Sequence, residues 1–244
     1  MIFLFTDFGY EGPYLGQVCA VLARQAPGIP VIPLFSDVPS FDPRGAAYLL
    51  AAYTTGADRN DIVMAVVDPG VGTARRPIVL RADERWYVGP DNGLLAVVAQ
   101  RAVRAETWEI GWTPVVLSNT FHGRDLFAPV AARLACGDEE TSKTLDLKPV
   151  NAIEGATWPE EYPAIVYFDR YGNGITGCRA RSLGLGVSLR IGAHRIEHAM
   201  TFADQPKGAA LWYENANGLA EIAVNCGNAK EVLGLALGDV VARA

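Results

Sequence analysis

The chain has 244 residues, with 21 Lys and Arg against 27 Asp and Glu and a formal net charge of −6. Half of the residues are apolar and a fifth are charged, which supplies a core and excludes wholesale disorder, while the acidic balance repels a phosphate backbone and excludes general nucleic-acid binding. The longest apolar runs, Met1 to Phe5 and Ala46 to Tyr53, fall far short of the roughly 20 residues of a membrane helix, and the start MIFLFTDFG has neither a basic leader nor a small-residue cleavage site, so a cytoplasmic protein without membrane contact is expected.

In chain order, Ile2 to Phe5 is a short apolar strand. Pro13 opens a segment with Leu15, Val18, Cys19 and Leu22 at helical spacing that closes at Pro27-Gly28. Val31 to Phe35 is the next strand. Asp42 followed by Pro43 is an N-cap with proline in the first helical position, leading into an Ala-rich helix over Arg44 to Thr55. Ile62 to Val67 is a continuous apolar strand of the kind buried on both faces of a mainly parallel sheet. Strands over Pro77 to Arg81 and Trp86 to Gly89, a short helix over Gly93 to Gln100, and a helix over Arg124 to Cys136 stopped by Gly137 complete an α/β pattern.

From Asp138 the composition turns charged, Pro-containing and non-periodic. The boundaries that follow are an α/β domain with a mostly parallel central sheet over 1–140, a linker over 141–162, and a smaller antiparallel β domain over 163–244. In the last of these, Ile165 to Phe168, Val187 to Ile191, Ala199 to Phe202, Ala210 to Tyr213 and Leu219 to Val224 alternate with Gly, Asn and Asp punctuation.

Polar residues gather at the predicted C-terminal ends of strands. Thr6-Asp7 follows the first, Asp68-Pro-Gly-Val-Gly the third, and Asp91-Asn92 stands after Gly89-Pro90. That edge of an open α/β sheet is where ligands bind, and three carboxylates together suggest a pocket rather than three helix caps. His122 precedes Gly123-Arg124-Asp125 at a predicted helix start, where a carboxylate can hold an imidazole and present it to a cavity, or where it simply caps the helix. His194 and His198 lie four apart, but GAHRIEHAMTF is a strand pattern that sets them roughly 13 Å apart, so they are expected at the surface. Cys19, Cys136, Cys178 and Cys226 contain no CxxC pair and are expected as buried free thiols, with no metal site. Asp7-Phe8-Gly9 lacks every companion motif of a kinase, and Gly70-Val71-Gly72 lacks the third glycine of a dinucleotide fingerprint and a Walker lysine.

Taken together, Thr6-Asp7-Phe8-Gly9, Phe41-Asp42, Val66 to Thr73 with Arg75-Arg76, Gly89 to Gly93 and Phe121 to Asp125 with Phe127-Ala128-Pro129 resemble the S-adenosylmethionine hydroxide adenosyltransferases, relatives of the adenosyl fluorinases and chlorinases. Asp169 to Asn173 and Glu221 to Asn225 continue the resemblance through the second domain. It implies a homotrimer with active sites between the N-terminal domain of one subunit and the C-terminal domain of the next. It also implies a reaction in which water attacks the ribose C5′ of S-adenosylmethionine and releases adenosine and L-methionine, with S-adenosylmethionine as substrate and no cofactor.

By the same resemblance Asp68, Arg75 and His122 form the catalytic triad. Asp7 accepts both ribose hydroxyls, Asp169 lies near the methionine ammonium, and Asn173 contacts adenine. Tyr171 and Trp212 are candidates to cover the ring. Ala216 stands where the family usually carries a serine that helps hold the methionine carboxylate, which leaves Asn215 or Asn217 for that task, and Ser36 to Pro39 lacks a histidine commonly seen there. Two alternatives are a halide adenosyltransferase and a binding module for S-adenosylmethionine or adenosine without turnover.

Overall fold

The computed structural model describes residues 1–137 and 141–244; the expected domain end at 140 and the start of the compositional change at 138 lie outside the described residues. The chain forms two compact units, Met1–Trp158 and Pro159–Ala244. Among the described residues no helix is long and apolar enough to cross a membrane.

The first unit is α/β. Its strands are β1 (Ile2–Thr6), β2 (Val31–Phe35), β3 (Ile62–Val66), β4 (Pro77–Ala82), β5 (Arg85–Pro90), β6 (Ala105–Ile110) and β7 (Leu147–Pro149), in the spatial order β2-β1-β3-β5-β4-β6-β7. The β2-β1-β3-β5 half is parallel, and the remaining pairings are antiparallel. The helices are α1 (Pro13–Gln25), α2 (Pro43–Tyr53), α3 (Ala96–Arg101), α4 (Ala128–Cys136) and the short α5 (Thr141–Thr144). Helix α1 packs with α4, and α2 with α3. All five residues of β3 are buried, as its unbroken apolar sequence predicts for a central strand. The helix caps follow their residues. The Asp42 carboxylate accepts the Gly45 N–H at 2.9 Å with Pro43 in the first turn, and Gly137 ends α4 in the left-handed region at φ 57°.

Strands β6 and β7 lie outside the sequence-based expectation. The run AETWEI in β6 is mostly half-exposed, so its polar residues hide the strand period. The stretch 141–162 contains α5 and β7, and β7 pairs with β6 through Trp108 and Pro149. Arg76 and Asp91 tie down the segment after it. Arg76 Nε and Nη2 donate to one Asp91 oxygen at 2.9 and 2.5 Å, Arg76 Nη2 also reaches the Ala152 carbonyl at 3.0 Å, and the other Asp91 oxygen accepts the Glu154 N–H at 2.8 Å. Asp91 is therefore a structural brace and not a member of the expected strand-end pocket.

The second unit carries β8 (Tyr162–Phe168), β9 (Gly174–Arg179), β10 (Leu189–Ile191), β11 (His194–His198), β12 (Ala210–Glu214), β13 (Leu219–Val224) and β14 (Val241–Arg243), in the order β14-β10-β11-β12-β13-β9-β8. Only β11 with β12 is parallel among these pairings. The Ile165 N–H donates to the Asp239 carbonyl at 3.0 Å, and the Gly238 N–H to the Ile165 carbonyl at 2.8 Å, so the two ends of the sheet approach one another in a barrel-like closure. Two short helices, α6 (Ala180–Leu183) and α7 (Ala229–Val232), complete the unit.

No strand covers Ala199 to Phe202; the strand at this place in the order, β11, ends at His198. The reason is local: the Asp204 carboxylate accepts the Met200 and Thr201 N–H groups at 2.9 and 2.8 Å and forms a capping box that turns the chain into a 3₁₀ turn over Phe202–Asp204.

The Asp91 side chain is 2% exposed, so removing its cation leaves a buried charge uncompensated. Arg76→Met should destabilise the protein by about 3 kcal/mol in chemical denaturation. A loss within error would show that the brace carries no weight.

Candidate active site

Chain order places the first site. From β1 the chain crosses through α1 to β2 on one side, and from β2 through α2 to β3 on the other. The crevice at the C-terminal ends of β1 and β3 is therefore a topological switch point, where open α/β sheets bind ligands. Asp7 directly follows β1, and Asp68 lies just beyond β3. A small cavity of about 90 Å³ opens there, lined among others by Asp7, Phe41, Asp68, Thr120 and His122.

Arg75 is held against Asp68 by a forked contact. Its Nε lies 2.9 and 3.0 Å from the two carboxylate oxygens and its Nη2 2.5 Å from Oδ2. The Arg75 and Asp68 side chains are 9% and 5% exposed, and the guanidinium lies 5.2 Å from the centre of the Phe127 ring. The same Nη2 contacts Nδ1 of His122 at 2.9 Å. A guanidinium only donates, so Nδ1 accepts, and the neutral ring carries its proton on Nε2. With Nδ1 engaged by Arg75, the ring's other nitrogen carries the proton and is a donor.

The surroundings keep the imidazole uncharged. Burial lowers the His122 pKa from 6.5, the Arg75 charge lowers it further, and Asp68 and Asp125 oppose the shift. Asp7 moves the other way, raised from 3.8 chiefly by burial and also by the Asp68 charge, against a backbone hydrogen bond.

Two local features bring these groups together. His122 leads into a π-helical turn over Gly123–Phe127, a rare local geometry that recurs at functional sites. A side chain at Gly123 would place its Cβ 2.8 Å from the Phe8 ring. On the opposite wall Gly72 has φ +77°, and a Cβ there would meet the Asn119 carbonyl at 2.5 Å; only glycine lets the loop after Asp68 lie against the loop before His122. Phe41, at φ 66° and largely exposed, is a wall residue whose place the sequence analysis did not specify. A bulky residue held in the left-handed region is a signal of the backbone that no sequence pattern records.

Asp169 and Asn173 lie in the second unit. They line a cavity of about 570 Å³ with Tyr171, Phe202, Tyr213 and Glu221. Asp169 Oδ1 accepts the N–H groups of Tyr171 and Asn173 at 2.9 and 2.8 Å, and Oδ2 accepts Nδ2 of Asn173 at 3.0 Å. Trp212, expected to cover a bound ring, is fully buried instead and donates its indole N–H to the Val187 carbonyl at 2.9 Å, while His198 stacks edge-on against it at 4.6 Å. Asn215 is occupied within its own turn, accepting the Asn217 and Leu219 N–H groups at 2.9 and 3.0 Å and donating to Glu221 at 3.0 Å. Its oxygen is thus fully engaged, and one of its two amide N–H donors is left over. The four cysteines are free as expected, but only Cys178 is buried; Cys136 and Cys226 are exposed.

Residues 2–144 match the SAM hydroxide adenosyltransferase N-terminal domain, and residues 163–242 match the SAM hydroxide adenosyltransferase C-terminal domain. The chain belongs to this family. It is 41% identical to the (R)-S-adenosyl-L-methionine hydrolase of Thermus thermophilus, over 96% of this chain and 95% of that one. A crystal structure of an uncharacterised conserved protein from Thermotoga maritima superposes with a TM-score of 0.88 at 31% identity, covering 99% of this chain and 98% of that one. A fluorinase of Actinopolyspora mzabensis is 26% identical over 78% of this chain and 73% of its own, which makes the fluorinases more distant relatives.

Ring ¹⁵N spectra should show His122 as the neutral Nε2–H tautomer at pH 7, with protonation only at a pH below 6.5. A protonated ring at neutral pH would contradict the Arg75 contact. Because the folded-state pKa is depressed, the neutral ring's contribution to stability is complete above pH 6.5 and is lost as the pH falls through the folded value.

Proposed function

We propose that this protein hydrolyses (R)-S-adenosyl-L-methionine to adenosine and L-methionine by attack of water on the ribose C5′. The observation that carries this reading is the Asp68, Arg75 and His122 constellation at the switch point, in a chain that aligns almost end to end with a protein named for that hydrolysis. The sulfonium is an activated leaving group: as the oxygen–C5′ bond forms, the C5′–S bond breaks with its electron pair returning to sulfur, and methionine departs as a neutral thioether. No acid has to protonate the leaving group, and one proton from the water is released. The work left to the protein is to orient the water and favour its hydroxide character.

Arg75 supplies the positive field and holds both partners in place. His122 donates its Nε2–H to the water oxygen, and the Asp68 carboxylate accepts from the water O–H and draws off the proton. Asp7 provides a two-oxygen acceptor for the ribose diol, Asn173 contacts the adenine, and Asp169 lies toward the methionine ammonium. The active unit is a homotrimer in which the N-terminal domain of one subunit meets the C-terminal domain of the next. The exposed free thiols of Cys136 and Cys226 suit the reducing cytoplasm.

In H₂¹⁸O the label should enter the 5′-hydroxyl of adenosine and not methionine, with the (R) sulfonium epimer consumed faster than the (S). Chloride or fluoride should yield no 5′-halonucleoside; its appearance would instead establish halide transfer. Asp68→Asn and His122→Ala should each lower kcat by about 100-fold or more with folding retained, and tight nucleoside binding without any product would leave only a binding module. Light scattering should give three chains per particle.

A further inference from the structure

The cavity of the second unit presents acceptors. Asn173, 6% exposed, has its Nδ2 on Asp169 Oδ2 at 3.0 Å, while Asp169 Oδ1 is engaged by two backbone N–H groups. A carboxylate has no proton to give, so a flipped Asn173 amide would set two oxygens against each other. The amide thus has one orientation, and its carbonyl oxygen has no protein partner among the described residues. Glu221, a second carboxylate on the cavity wall, already accepts hydrogen bonds from the Tyr213 hydroxyl and from an Asn215 N–H. No Lys or Arg stands among the described lining residues.

We propose that Asp169 is a positioning residue which, by fixing the Asn173 carboxamide with its oxygen available to the ligand, makes this cavity select a 6-amino purine over a 6-oxo purine. This rests on the adenosyl substrate proposed above. An exocyclic amine donates to the Asn173 oxygen. A 6-oxo group brings a second acceptor to the same point and leaves the carbonyl unpaired, a mismatch that hydrogen-bonding sites reject strongly. Asp169 then acts through Asn173, in addition to any contact with the methionine end.

One substitution reverses the logic without dismantling the turn. In Asp169→Asn the new Oδ1 still accepts the Tyr171 and Asn173 N–H groups, but an N–H₂ replaces Oδ2. The Asn173 amide then turns its oxygen to residue 169 and its N–H₂ to the ligand.

The test is direct titration of the full-length protein with adenosine and with inosine by calorimetry. Wild type should bind adenosine about tenfold or more tightly than inosine, and Asp169→Asn should bring the ratio to parity or reverse it, with the melting temperature measured alongside. Equal affinities in wild type, or an unchanged ratio in a folded Asp169→Asn protein, overturns the assignment. Should that variant not fold, Asn173→Ala carries the test, and retained discrimination there overturns it equally. Hydrolysis of S-adenosylmethionine is measured separately on the wild-type protein. Turnover without purine discrimination defeats this assignment alone, whereas absence of both turnover and nucleoside binding defeats the activity on which it rests.

Discussion

Arg75 and Asp68 are seven residues apart in the chain, nearly withdrawn from water, and joined through both carboxylate oxygens. A buried ion pair of this kind gives little net stability compared with apolar groups of the same size, yet losing either member leaves a charge that the interior does not solvate. Its value here is geometric. A planar guanidinium fixed by a fork through Nε and Nη2 also has the second N–H of Nη2 set in direction, and that N–H meets Nδ1 of His122. The tautomer of the histidine follows from this contact, and the uncharged state of the ring follows from burial first and the Arg75 charge second. The glycines at 72 and 123 serve it by letting the two loops and the Phe8 ring close around it.

The chemistry suits such an arrangement. Displacement at a sulfonium carbon needs no metal-bound nucleophile and no proton donor for the leaving group, so the demands fall on orientation and on the local field. In the proposed mechanism a cationic Arg75 and a neutral, donating His122 favour a partly anionic oxygen, while Asp7 and Asp68 balance the positive charge. At the cavity of the second unit the balance is different: the hydrogen bonds of Asp169 and Glu221 run to neutral donors, and the Asn173 amide is aligned by one of them.

Much of the fold was legible in the chain because its signals are local. The unbroken apolar run of β3, the Asp42-Pro43 helix start and the Gly137 stop act through neighbouring residues and need no tertiary context. Where the signal is not local, the chain carries no readable pattern, for identifiable reasons. The polar alternation of β6 matches no clean period, and the capping box at Thr201 and Asp204 overrides the strand tendency of Ala199 to Phe202. Trp212, chemically suited to cover a base, is taken by the core because its indole N–H finds the Val187 carbonyl.

By itself, the sequence determined the two-domain α/β and β character, the family, and the identities of Asp68, Arg75 and His122 as residues to examine, since these depend on short motifs and on the periodicity of the backbone. Only the tertiary structure decided which strand-end carboxylates share a cavity. Asp7 and Asp68 do, because the chain reverses direction between β1 and β3; Asp91 does not, because Arg76 and Glu154 claim it. It also decided that Nδ1 of His122 accepts from Arg75, and which way the Asn173 amide faces. Both are set by hydrogen-bond partners brought from elsewhere in the chain or around a turn, and no spacing in a linear sequence records which atom of a side chain is already occupied.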